Sequence, residues 1–107
     1  MKEPVIKVGF CVAYDWELLK KSVLRIYNHA DVICFSLDKN RKSWSGNTFK
    51  FDSSAFYSWV SDIDKDQKIS ILEEAFYQEG LQPIENDNRQ RKLMADFLGK
   101  GGWHIQI

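Results

Sequence analysis

Two short runs rich in β-branched and aromatic residues, VIKVGFCVAY at 5–14 and DVICFSL at 31–37, are separated by a stretch with room for one helix. That spacing is the tightest constraint on the fold. Strands joined through a single helix pair in parallel with a right-handed crossover, and parallel strands need cover on both faces. Pro4 marks the start of the first strand. The connecting helix is expected over 16–28, with Asp15 as its cap and Leu19, Val23, Ile26 and Tyr27 as the stripe that covers a sheet.

The same unit then repeats in kind. Asp52 and Ser53 are placed to cap a second helix whose Phe56, Trp59, Val60 and Ile63 share one face. Residues 68–72 (KISIL) alternate polar and apolar as a third strand would, with a helical reading still open. Residues 73–83 are irregular, punctuated by Gly80 and Pro83. The last stretch, ENDNRQRKLMADFLGKGGWHIQI at 85–107, reads as a polar run, a helix, a glycine turn and an apolar strand. Leu93, Met94, Phe97 and Leu98 fall at helical spacing only in its second half, so this helix is expected to pack by its tail and leave its N-terminus free for an anion. The summed order of four strands and three helices predicts an α/β fold, a three-layer sandwich with a mostly parallel sheet.

A chain of 107 residues holds one small domain, or part of one. Its 15 basic and 15 acidic residues cancel, which disfavours nucleic acid and anionic membranes as partners. No run approaches the roughly 20 apolar residues that span a bilayer, and the N-terminus lacks the pattern of a cleaved signal, so a cytoplasmic protein is expected. Cys11 and Cys34 lie inside apolar runs without metal or redox spacing and read as reduced core residues.

In open α/β sheets ligands bind beyond the carboxyl ends of the strands. Those ends here are Ala13, Tyr14 and Asp15 after the first strand and Asp38 after the second, where an aspartate can accept from a base or a ribose. The turn AYDWELL has no glycine-rich fingerprint, which argues against a classical dinucleotide site. Phosphates would have to be met elsewhere, and Arg89 and Arg91 on the last helix offer fork-shaped cationic donors, although the same residues also suit a solvated helix face. The polar loop KNRKSWSGN carries Trp44, which could stack on a base or pin its loop to the core. His29 and His104 have simple structural readings.

Three segments resemble the family 2 glycosyltransferases of the GT-A fold, especially their bacterial members. VGFCVAYDWELLKKSVLRIY is similar to that family's opening strand and its Thr-Tyr-Asn-like turn, here Ala-Tyr-Asp. ADVICFSLD is similar to its second strand ending in aspartate, and NRQRKLMADFLGKGGWHIQI to the helix, turn and strand that lead into the family's Asp-x-Asp motif. The resemblance implies a Rossmann-like sheet in the order third, second, first, fourth. It also implies that residues 1–107 are a single partial domain, the N-terminal nucleotide-binding part of a nucleotide-sugar-dependent enzyme. Tyr14 would lie near the base, Asp38 would hydrogen-bond it, and Arg89 or Arg91 would stand near the diphosphate of a UDP-type donor. The Asp-x-Asp pair that holds Mn²⁺ or Mg²⁺ would follow Ile107, with no catalytic residue inside the span. The final strand, residues 103–107, would then be an open edge able to pair with another copy.

A second reading comes from DIDKDQKISILE, residues 62–73, which sets Asp62, Asp64, Asp66 and Glu73 at positions one, three, five and twelve of an EF-hand-like calcium loop. Position six is Gln67, where the turn wants glycine. The simpler alternative is a helix end solvated by aspartates. A third reading is a non-catalytic α/β interaction domain.

Overall fold

The strands β1 (Ile6–Val12) and β2 (Val32–Asp38) lie side by side in parallel, from Lys7 beside Val32 to Val12 beside Leu37, at the centre of a four-stranded sheet. β3 (Ile69–Glu74) pairs with the far side of β2, and β4 (Trp103–Gln106) with the far side of β1. The order is therefore β3-β2-β1-β4, all parallel. This is an α/β, Rossmann-like arrangement, and the strand order is the one the resemblance implies. The structure is a computed structural model that describes residues 5–107; Pro4 lies outside the described residues.

Successive side chains of a strand point to opposite faces, and here both faces carry core. Val8, Phe10, Val12, Ile33, Phe35 and Leu37 face one way, against Val23 and Tyr27 near α1 (Leu19–Ile26) and Phe56 and Val60 of α2 (Ser53–Ile63). Cys34, with Cys11, Val32 and Leu72, faces the other way, against Met94 and Leu98 of α3 (Pro83–Leu98). Gly9 is where β1 lets α3 come close: a Cβ there would stand 2.8 Å from the sulfur of Met94. Lys7, on the same face, donates through Nζ to the Leu98 carbonyl at 2.8 Å, so a cation meets the negative end of α3.

The expected stripes Leu19, Val23, Ile26, Tyr27 and Phe56, Trp59, Val60, Ile63 all belong to the first core. Asp52 caps α2, accepting from the Ala55 amide at 3.0 Å. Asp15 does not cap. The first turn after it is a 3-10 turn, Trp16–Leu18, and the Asp15 side chain makes no capping bond. That tight turn carries the indole of Trp16 into the core, with its ring centroid 5.3 Å from that of Phe56. α1 then ends at Ile26, leaving His29 beyond it. The third segment is a strand, as its alternation suggested. No helix among the described residues is long and apolar enough to cross a membrane.

The clearest departure is in α3. It begins at Pro83, so the polar run is helix, and its first half is packed rather than free: Asn86 and Gln90 are buried with Met94 and Leu98. The Glu85 carboxylate folds back onto the Gln82 amide at 3.1 Å, placing a negative charge at the positive end of the helix. The expectation of an N-terminus open to an anion is thereby overturned.

Candidate functional site

In a sheet ordered β3-β2-β1-β4 the chain reverses its direction of travel between β1 and β4, and that switch point opens a crevice at the carboxyl ends of the strands. A cleft of about 530 Å³ lies there. Its floor is Cys11, Val12 and Ala13 from β1 and the turn after it, with Asp38 from β2 and Ile107 from beyond β4, and the exposed Tyr14 and Asp15 stand at its rim. One wall is the loop after β2, from Lys42 to Phe49, and the other is α3 through Pro83, Gln90 and Arg91. Five of the six residues singled out for nucleotide binding thus converge: Ala13, Tyr14, Asp15, Asp38 and Arg91. Arg89 does not join them. It lines a separate groove with Leu72, Glu74, Leu93, Asp96 and Phe97, and its Nε donates to the Phe76 carbonyl at 3.1 Å.

Asp38 is 4 % exposed, and its carboxylate is already occupied by protein. Oδ2 accepts from the amides of Asn40 at 2.9 Å and Lys42 at 3.1 Å, and Oδ1 from those of Phe76 at 2.9 Å and Tyr77 at 3.1 Å. The residue fastens the loop after β2 to the segment after β3. It shapes the cleft; a hydrogen bond to a base would have to displace one of these amides. Tyr14, in contrast, is 69 % exposed at the rim, with its ring edge-on to Phe49 at 6.4 Å.

Arg91 is held by Asp87, one helical turn earlier, through Nε to Oδ1 at 2.7 Å. Burial, the largest single influence, works against the charge on Arg91, but the hydrogen bond to Asp87 and the fields of Cys11 and Asp87 together leave the guanidinium pKa raised. Cys11 in the floor is a poor nucleophile, because burial pushes its thiol pKa up despite a hydrogen bond to Ser36. Behind it, Cys34 is fully buried and its thiol is pushed up to about 12 by the same cause.

The loop wall is fixed by a chain of amide side chains that sequence reading passed over. Gln90 donates through Nε2 to the Ser36 carbonyl at 3.1 Å and to Ser36 Oγ at 2.9 Å, and accepts from Trp44 Nε1 at 2.8 Å. Asn86 donates to the Trp44 carbonyl at 2.9 Å and accepts from the Gln78 amide at 2.9 Å. Trp44 therefore pins its loop to α3. The signal for Asn86 and Gln90 was their phase: they continue the Met94 and Leu98 stripe backward in steps of four.

The EF-hand-like carboxylates are not gathered. Asp64 accepts from the Tyr27 hydroxyl at 2.8 Å and from the amides of Lys68 and Ile69 at 2.7 and 3.1 Å, as a helix-ending turn would use it. Glu73, an exposed residue, accepts from the Tyr57 hydroxyl and lies 3.5 Å from Arg41. Asp62 and Asp66 are exposed. Gln67 does adopt the left-handed turn, at φ 53, that the loop's sixth position would need. Among the described residues, no group of three or more His, Cys, Asp or Glu is placed to hold a metal ion.

Compared with models of known families, with curated proteins and with solved structures, the chain matches none of them. The cleft offers an exposed aromatic ring, hydroxyl and amide groups on a well-anchored loop, and one guanidinium, a set suited to a flat polar ring carrying an anionic tail.

Proposed function

We propose that the cleft at the carboxyl ends of β1, β2 and β4 binds the nucleotide of a nucleotide-sugar donor, and that the chain is the N-terminal, nucleotide-binding part of a GT-A-type glycosyltransferase. The observation that carries this reading is convergence. Ala13, Tyr14, Asp15, Asp38 and Arg91, drawn from three separate segments, line one cleft at the switch point of the sheet. Tyr14 supplies a face for the base, Asp15 an acceptor for ribose or base N–H groups, and Arg91 a donor for the phosphates. Asp38 acts through the loop that it holds. The divalent cation of such enzymes finds no ligand set among the described residues. Isothermal titration of the chain with UDP tests the reading. Saturable binding, weakened about tenfold by Arg91→Gln and by Tyr14→Ala, is expected. Absence of heat at millimolar nucleotide from a folded sample would overturn it.

The outer side of β4 supports a second reading, self-association. Trp103, Ile105 and Ile107 are 65 %, 48 % and 47 % exposed, and no formal charge from Lys, Arg, Asp or Glu interrupts the strand. An uncharged edge with an apolar face is a template for pairing with a second copy. Sedimentation equilibrium should show a dimer that Ile105→Lys dissolves; a monomer at all concentrations would dispose of this reading.

A further inference from the structure

We propose that Asp87 tunes how tightly the cleft holds phosphate: it offsets the charge of Arg91 while leaving the outer N–H groups of that guanidinium available to an anion. The inference rests on the nucleotide reading above.

The geometry separates two roles that an arginine plays toward a phosphate, hydrogen bonding and charge. Arg91 donates through Nε to Asp87 at 2.7 Å, which fixes the plane of the guanidinium. Nη1 reaches Gln106 Oε1 only at 3.5 Å, the limit of a hydrogen bond, and Gln106 is itself held by its Nε2 donating to the Arg91 carbonyl at 2.9 Å. The fork therefore sits on the cleft wall with most of its donors uncommitted. Its charge is another matter. The Asp87 carboxylate lies against it, 18 % exposed, and is screened less than a fully solvated pair would be. A phosphate arriving at the Nη edge meets good donors but also the repulsion of a carboxylate one guanidinium width away.

Replacing Asp87 by Asn keeps an oxygen that accepts from Nε and removes the negative charge. Orientation is conserved while repulsion is lost, so affinity should rise, and only for ligands that carry phosphate. The ion pair is partly exposed and joins residues one turn apart, so its loss is a small matter for folding.

The experiment titrates uridine, UMP and UDP into the wild-type chain, Asp87→Asn, Asp87→Ser and Asp87→Glu. Expected are uridine affinities alike in all four, and UDP bound about threefold to tenfold more tightly by the Asn variant, with a smaller gain for UMP. Asp87→Glu, which restores the charge, should return UDP affinity to the wild-type value, and Asp87→Ser serves as a second neutral variant. UDP affinity unchanged or lowered in both neutral variants, with wild type still binding, would overturn the tuning role alone. Failure of the wild-type chain to bind either uridine or UDP would instead remove the nucleotide reading and this inference with it.

Discussion

The indole Nε1 of Trp44 donates to Oε1 of Gln90 at 2.8 Å, and through that one contact the loop after β2 is tied to the middle of α3. Gln90 is also bonded to both oxygens of Ser36 on β2, so a single buried side chain joins loop, helix and sheet behind the cleft. Gln90→Leu keeps most of the volume but strands the indole N–H of Trp44 and takes a donor from Ser36, whose Oγ still donates to the Phe10 carbonyl at 3.3 Å. We expect a loss of about 2–4 kcal/mol in urea unfolding. The loop should also loosen, read as faster exchange of the amides of Ser43 and Gly46, which bond within the loop. Unchanged stability would mean that water replaces the amide without cost.

Asp38 makes a sharper case because its two oxygens receive four backbone amides. Asp38→Asn should be nearly as damaging as Asp38→Ala, an unusual result for so conservative a change. The carboxamide offers one oxygen, and its NH₂ would face two amide donors. Each variant is expected to cost about 3 kcal/mol or more. A loss of nucleotide binding in either one would then reflect a collapsed loop rather than a missing contact to the base, and thermal melts run alongside the titrations would separate the two.

How much of this could be read from residues alone divides along physical lines. The sheet was legible because β1 and β2 are apolar on both faces and their connection is too short for anything but parallel pairing. The faces of α1 and α2 were legible because their stripes are apolar. The first half of α3 was not, because its buried face is made of Asn86 and Gln90, polar residues that enter a core only when every donor and acceptor finds a partner. Those partners, Ser36, Trp44 and Gln78, are remote in sequence. Arg89 and Arg91 illustrate the same limit: two residues apart on a helix they point to different sides, and only the packing of α3 decides which one meets the cleft. Asp15 was misread for a related reason, since burial of Trp16 overrides the preference for a capped α-helical turn.

Gly102 controls whether β4 joins the sheet. Its φ is +70, and a Cβ added there would run into the Val5 carbonyl, which is the acceptor for the Trp103 amide at 2.7 Å. Gly102→Ala therefore combines left-handed strain with a backbone collision. It should detach β4 while sparing the two helix-covered cores. Hydrogen exchange is expected to show lost protection at Trp103 and Ile107, whose amides bond to the carbonyls of Val5 and of Gly9 in β1, with protection in β2 retained. Uniform loss across the sheet would show instead that β4 folds only together with the rest.

Cys34 gives the chain an alkaline limit. Its thiol is fully buried, and burial raises its pKa from 9.0 to about 12. A group whose pKa is raised on folding contributes stability that is complete below its unfolded value and is lost as pH climbs toward the folded one. The window here runs from 9.0 to about 12. Tyr57 adds to the upper part of that range, because burial and its bond to Glu73 raise its hydroxyl from 10.0 to about 12. Urea midpoints measured from about pH 8 to about pH 11 should fall steadily, and Cys34→Ala should flatten the lower part of that slope whatever its effect on absolute stability. The same burial predicts that Cys34 stays unreactive toward a thiol reagent until the protein unfolds. If Cys34→Ala leaves the slope unchanged, the alkaline loss belongs to the other groups that burial raises, Cys11, Tyr27 and Tyr57, and the Cys34 thiol is deprotonated as readily in the folded chain as in the unfolded one.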